Sequence, residues 1–244
     1  MLSDYFDVYS LNARVRPSLL ALLPPTLTVY VIFPKLYELA VALVSLLLLF
    51  GLITALVHFV RYKGRMAEKK LIALWGAKPT TYLLRQDDNG IDSVTKQRYY
   101  DFFELNIKGW SLPEKDNKNS TSVESDVYYE SAIKWLLERT RDPKKYSLLL
   151  KENISYGFRR NSFGIKRYAL FLSFASIIFL VTNISFPELL NLKINLVFTL
   201  ATIFISSILT FWWLLLVNSN WVKDSAESYA IRLLSSCEDI SVTK

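Results

Sequence analysis

Asn195–Val217 reads NLVFTLATIFISSILTFWWLLLV, a run without one charged residue. A helix needs about 20 mainly apolar residues to cross the hydrocarbon core of a bilayer. This stretch is long enough, and it makes the chain a membrane protein. Upstream lies Tyr168–Ile184, YALFLSFASIIFLVTNI, separated from it by Ser185–Lys193 with Pro187. Nearer the N-terminus are Glu38–Val60, ELAVALVSLLLLFGLITALVHFV, and Leu19–Pro34, LLALLPPTLTVYVIFP, joined by Lys35-Leu36-Tyr37 alone. The pattern predicts an all-α integral membrane protein with four transmembrane helices in two hairpins, and a helical cytoplasmic insert between them. The expected divisions are 1–61 for the N-terminal segment and first hairpin and 62–167 for the insert. The second hairpin follows at 168–217, and an amphipathic tail helix at 218–244.

Leu19–Pro34 is the weakest of the four, being short and carrying Pro24-Pro25. Proline removes a helix hydrogen bond, and lipid offers no substitute partner. It reads as a kinked span, with an interfacial re-entrant hairpin as the alternative. Asp4 and Asp7, with no small-residue cleavage site after the apolar run, argue against a cleaved signal peptide.

The chain has 244 residues, 52% of them hydrophobic and 21% charged, with mean hydropathy +0.23. That balance fits membrane spans plus a polar domain. The net charge is +7, and the basic excess sits in 62–167. Arg14 and Arg16 precede the first block, and Arg61, Lys63, Arg65, Lys69 and Lys70 follow the second. Arg159, Arg160, Lys166 and Arg167 precede the third, and Lys223 follows the fourth. Each short connection carries one Lys. Basic residues favour the cytoplasmic side, which puts both termini and residues 62–167 in the cytoplasm.

Within the insert, Gly64–Trp75 has a basic amphipathic pattern, and Gly76-Ala77-Lys78-Pro79 breaks it. Thr80–Arg85 suits a short helix. Asp87-Asp88-Asn89-Gly90 is a turn, and Asp92 caps a helix over Ser93–Ile107 facing inward through Tyr99, Phe102 and Phe103. Lys115–Ser122 is polar and loop-like. A helix from Ser122 or Ser125 to Arg141 presents Tyr128, Ala132, Trp135 and Leu136 as its core stripe. Asp142-Pro143 opens another over Lys144–Arg160, which bends near Asn161–Gly164 before the third block. Trp221–Cys237 repeats Val222, Ala226, Tyr229 and Leu233 as an amphipathic tail helix.

Chemistry-bearing residues are few. One Cys, Cys237, excludes an intramolecular disulfide, and with one His, His58, it excludes the common His/Cys zinc sites. There is no phosphate-binding glycine loop of the Walker or dinucleotide type. Asp87, Asp88 and Asp92 lack the EF-hand spacing, so capping and turn chemistry account for them, and no metal or cofactor is expected. Without a nucleophile paired to a base, no catalytic residue is expected. His58, at the end of the second block, has two readings: a pH-sensitive group, or a structural interfacial histidine. In the fourth block, Asn195, Thr199, Thr202, Ser206 and Thr210 share one helical face. They read either as helix-packing hydroxyls or as pore lining in an assembly of several copies. Arg159, Arg160, Lys166 and Arg167 read as interfacial anchors, or as a collar that binds an anionic ligand or gates a pore mouth.

Trp75–Thr81, WGAKPTT, continuing to Leu83-Leu84-Arg85, and Glu152–Asn161, ENISYGFRRN, ending in Gly164, carry a resemblance over most of the chain. In these motifs the chain resembles a family of bacterial four-span inner-membrane proteins. The resemblance implies an inner-membrane location and four spans around this cytoplasmic insert. More loosely, the two-hairpin layout is similar to membrane effectors of bacterial anti-phage defence systems. The expectation is therefore a non-enzymatic, channel-like effector, homo-oligomeric in the lipid bilayer. A cytoplasmic protein partner or an anionic ligand, nucleotide or nucleic acid, would gate it at the basic insert. The alternative is an adaptor that anchors a cytoplasmic partner to the membrane.

Overall fold

Backbone polar groups immersed in lipid must find partners within their own segment, which favours long uninterrupted helices. The computed structural model describes residues 7–34, 51–113, 122–190, 192 and 194–239, and no strand occurs among them. Among the described residues three helices are long and apolar enough to cross a membrane: α1 (Val8–Ile32), α6 (Ser147–Ser185) and α8 (Leu196–Leu216). Between α1 and α6 lie α2 (Leu52–Trp75), α3 (Pro79–Tyr82), α4 (Ser93–Asn106) and α5 (Ser122–Arg139). The short α7 (Pro187–Leu190) precedes α8, and α9 (Ser219–Leu234) follows it. Most of the expected second span, Glu38–Val60, lies outside the described residues, and its last part opens α2. Of Lys115–Ser122, only Ser122 is described, as the first residue of α5.

The chain divides into two compact units. Unit 1 comprises Met1–Lys69 with Gly157–Val222, and unit 2 comprises Lys70–Tyr156 with Lys223–Lys244.

In unit 1, α1 starts earlier than the apolar block, because Asp7 accepts a capping bond from the Ser10 N–H. It is one continuous helix rather than a hairpin, and it runs through Pro24 and Pro25. The Thr28 hydroxyl donates to the Pro24 carbonyl at 2.9 Å, inside the same stretch. Ala21, Val60, Ile165, Ala169, Trp213 and Val217 form the unit's core, drawn from α1, α2, α6 and α8. Outward, Phe171, Ile178, Val197, Phe204 and Leu215 are all more than 60% exposed. An apolar surface of that extent suits lipid rather than water.

The expected bend at Asn161–Gly164 is absent, and α6 is helical throughout. Asn, Ser and Gly disfavour helix in water, but here they let another helix approach. A Cβ on Gly164 would stand 2.7 Å from the backbone of Lys63 and Gly64 on α2. A Cβ on Gly64 would collide with the Asn161 side chain.

In unit 2, α2 stops where Gly76 takes φ +85°, a conformation that favours glycine. Pro79 then opens α3. The WGAKPTTYLLR stretch is core: Thr81, Tyr82, Leu83 and Leu84 are buried. Arg85 grips Asp126 of α5 through two bonds of 2.8 and 2.6 Å. Asp92 caps α4 as expected, and Tyr99 and Phe103 face the core together with Tyr100. The α5 stripe is rotated from the expected one. Ala132 and Leu136 are buried, but Tyr129 and Ile133 complete the face, whereas Tyr128 is 47% exposed and Trp135 only half-buried. Asp142 accepts from the Lys144 N–H at 2.8 Å, but a turn intervenes and α6 begins at Ser147. On α9, Ala226 and Leu233 are buried as expected, with Ala230 and Leu234 beside them; Val222, which falls in unit 1, is buried as well. The acidic turn is tied down from within. Lys96, 4% exposed, donates to the carbonyls of Arg85 at 2.8 Å and Asp88 at 2.6 Å.

This core sets a pH dependence. Burial pushes Tyr99 up to about 12. Burial also raises Tyr100, helped by Tyr129, and Tyr82, helped by its bond to Glu227. The Cys237 thiol is raised by burial as well. Each group stays protonated in the fold and ionises first in the unfolded chain. Their contribution is complete below the unfolded values, about 8.5 for Cys and 10 for Tyr, and is lost as pH rises through the folded values. Burial lowers Lys96, which acts in the opposite sense, but it stands alone against four groups. The helical melting temperature in detergent is expected to hold to about pH 8.5 and to fall steadily above about pH 10.

Candidate functional site: a polar seam inside the apolar unit

The ENISYGFRRN motif gathers one end of unit 1. Asn161 is fully buried and donates from Nδ2 to the Ala13 carbonyl at 2.6 Å. Ala13 belongs to a π-helical segment of α1, Leu11–Val15. Lys166 donates from Nζ to the carbonyls of Leu214 at 3.2 Å and Val217 at 2.8 Å. Leu214 lies in the π-helical segment Trp212–Leu216 that ends α8. Thus α6 supplies partners to irregular backbone in two neighbouring spans, a requirement that lipid imposes. Arg160 pairs with Glu68 of α2 at 3.1 Å. Arg159 lies over the Trp221 ring, 5.1 Å from its centroid, and donates to the Trp221 carbonyl at 2.8 Å. Of the four expected collar cations, Arg159, Arg160 and Lys166 therefore bind the unit's own groups, while Arg167 is exposed.

Buried polar residues, together called the seam below, lie on one face of α6 and on one face of α8. The α8 stripe is buried within its own chain: Thr199, Thr202, Ser206 and Thr210 are each at most 6% exposed. Asn195 is the cap of α8, accepting from the N–H groups of Val197 and Phe198. The hydroxyls of Thr199, Thr202 and Thr210 donate to carbonyls four residues back, each at 2.8 Å. On α6, Ser162, Ser173, Ser176 and Asn183 are buried on one face. Several of these groups have no partner among the described residues: Ser162 Oγ, Ser173 Oγ, Asn183 Nδ2, Ser206 Oγ and the indole Nε1 of Trp213. An unmade bond on a buried polar group costs about 1–3 kcal/mol.

The sequence reading missed Asn161 and Asn183. The signal for Asn161 was its place with Gly157 and Gly164 on one helix face, the spacing of close helix packing. His58 is exposed on α2, and Cys237 is buried in unit 2. Among the described residues no group of three His, Cys, Asp or Glu is arranged to hold a metal ion. Asp88 accepts from the Gly90 N–H and Asp92 from the Thr95 N–H, the expected turn and cap roles. No family model, no curated protein and no solved structure matches the chain.

Proposed function

We propose that the protein is a channel-like, membrane-permeabilising effector of the bacterial inner membrane, gated by a signal or partner at the polar unit 2. The observation that carries this reading is a set of polar atoms buried in an apolar unit without a hydrogen-bond partner among the described residues: Ser173 Oγ, Asn183 Nδ2, Ser206 Oγ and Trp213 Nε1. Packing hydroxyls in membranes bond to a neighbouring carbonyl, as Thr199, Thr202 and Thr210 do. The unpartnered groups have no such use, and hydration of the seam on opening would satisfy them. The seam lies within one chain, so the reading does not require α8 from several copies around an axis. Homo-oligomerisation remains part of the proposal and is read by native mass spectrometry. An anti-phage role rests on the two-hairpin likeness and is tested by phage plating with and without the protein.

The second reading is a non-enzymatic adaptor. It is favoured by the three bonded threonines, which make α8 a packing helix, and by the separate core of unit 2. The two readings part in liposomes. A channel is expected to release an entrapped ion from vesicles holding the purified protein, and to depolarise cells on overexpression. An adaptor retains the ion and leaves the membrane potential intact.

A further inference from the structure

The unpartnered groups of the seam are not chemically neutral in what they would welcome. Asn183 Nδ2 and Trp213 Nε1 are N–H donors, and the indole nitrogen can only donate. Trp213 is fully buried and Asn183 is 2% exposed. A third buried donor without a partner among the described residues is Arg14 Nε, on α1. A cation needs oxygen acceptors, whereas an anion needs donors. The hydroxyls of Ser173 and Ser206 can turn to serve either.

Charge adds a second, independent argument. The described basic residues of unit 1 fall at Arg14 and Arg16 of α1, between Arg61 and Lys69 of α2, and between Arg159 and Arg167 of α6. The bonds Asn161–Ala13, Arg160–Glu68 and Lys166–Val217 bring these stretches and the end of α8 to one end of the unit. Asp7, at the start of α1, and Glu68 are the acidic residues described near them; Glu68 is occupied by Arg160, and Asp7 caps α1 through the Ser10 N–H. Basic pore mouths raise the local concentration of anions and repel cations.

We propose that the path opened along this seam carries small monovalent anions such as chloride. This rests on the channel reading above and names its permeant. The donors would replace part of the ion's hydration shell, and the basic end would be the mouth that admits it. Arg16 and Arg167 are exposed and form no bond used in the packing described above, so they can be neutralised without removing a fold contact.

The experiment is planar-bilayer recording of the full chain in a potassium chloride gradient, with Arg16→Gln/Arg167→Gln beside the wild type. The expected reversal potential lies toward the chloride equilibrium value. In the double variant it should move toward zero while the melting temperature is unchanged. A reversal potential at the potassium value, or at zero in the wild type, overturns the anion assignment and leaves the channel reading standing. A silent bilayer, together with retained ions in liposomes, overturns both.

Discussion

Gly164→Leu is expected to abolish a stable fold of unit 1, whereas Ala175→Leu on the same helix should leave it nearly unchanged. The two positions differ in what stands opposite. A Cβ at residue 164 meets the backbone of Lys63 and Gly64 at 2.7 Å, and backbone cannot rotate away as a side-chain tip can. Even modest overpacking costs about 1–3 kcal/mol, and separating α2 from α6 would also disturb the Arg160–Glu68 pair and the Asn161 bond. Ala175 is on the exposed face of α6, where a larger apolar side chain meets only the surrounding lipid or detergent. Thermal melting with size-exclusion chromatography in mild detergent separates the cases. Equal melting temperatures for both variants would show that the close approach of α2 and α6 does not matter.

Phe103→Ala carries the second large effect, in unit 2. Phe103 is fully buried, with its ring edge-on to Trp110 at 5.5 Å and Phe102 at 5.8 Å. Truncating a buried aromatic costs about 3–5 kcal/mol, because lost contacts add to the cavity left behind. Trp135→Ala should cost less. Trp135 is half-buried, packing on Phe102 at 5.9 Å with the Arg139 guanidinium 3.7 Å above its ring. Lys118→Ala, in the polar sequence run Lys115–Ser122, should cost nothing measurable. Urea titration followed by tryptophan emission should rank the three in that order, and a Trp135→Ala loss exceeding that of Phe103→Ala would contradict the observed face of α4 and α5.

The helices were legible because apolar runs and caps are local properties. Asp92 before α4 and Gly76-Ala77-Lys78-Pro79 after α2 acted as read. Contacts distant in sequence were not legible. Tyr128 and Tyr129 are adjacent aromatics, and helical period alone does not decide which one turns inward. Tyr100, stacked against Tyr129 at 6.4 Å from another helix, supplies that answer. Asn161–Gly164 reads as a helix breaker in isolation, and only the passage of α2 over it explains a continuous α6. Basic residues near a span look alike in sequence, yet Lys166 serves the carbonyls that end α8 while Arg167 remains exposed. The hydroxyl face of α8 was visible from its spacing. That it turns into its own chain, with Ser206 Oγ lacking a partner among the described residues, depends on neighbours contributed by other helices.

If channel function is right, the seam groups without a partner among the described residues serve permeation and not folding. Ser173→Ala/Asn183→Leu/Ser206→Ala separates the two roles when ion flux from liposomes and melting temperature are measured on the same preparation. Ser173 Oγ, Ser206 Oγ and Asn183 Nδ2 have no hydrogen-bond partner among the described residues, so removing them should leave the fold as stable as before or more so. A dry path that has lost even one partner worth about 1.4 kcal/mol should conduct about tenfold less. The triple variant is therefore expected to show an unchanged or higher melting temperature together with a flux at least about tenfold lower. Wild-type flux in the triple variant, or a marked loss of stability, would contradict it and make these residues part of the packing.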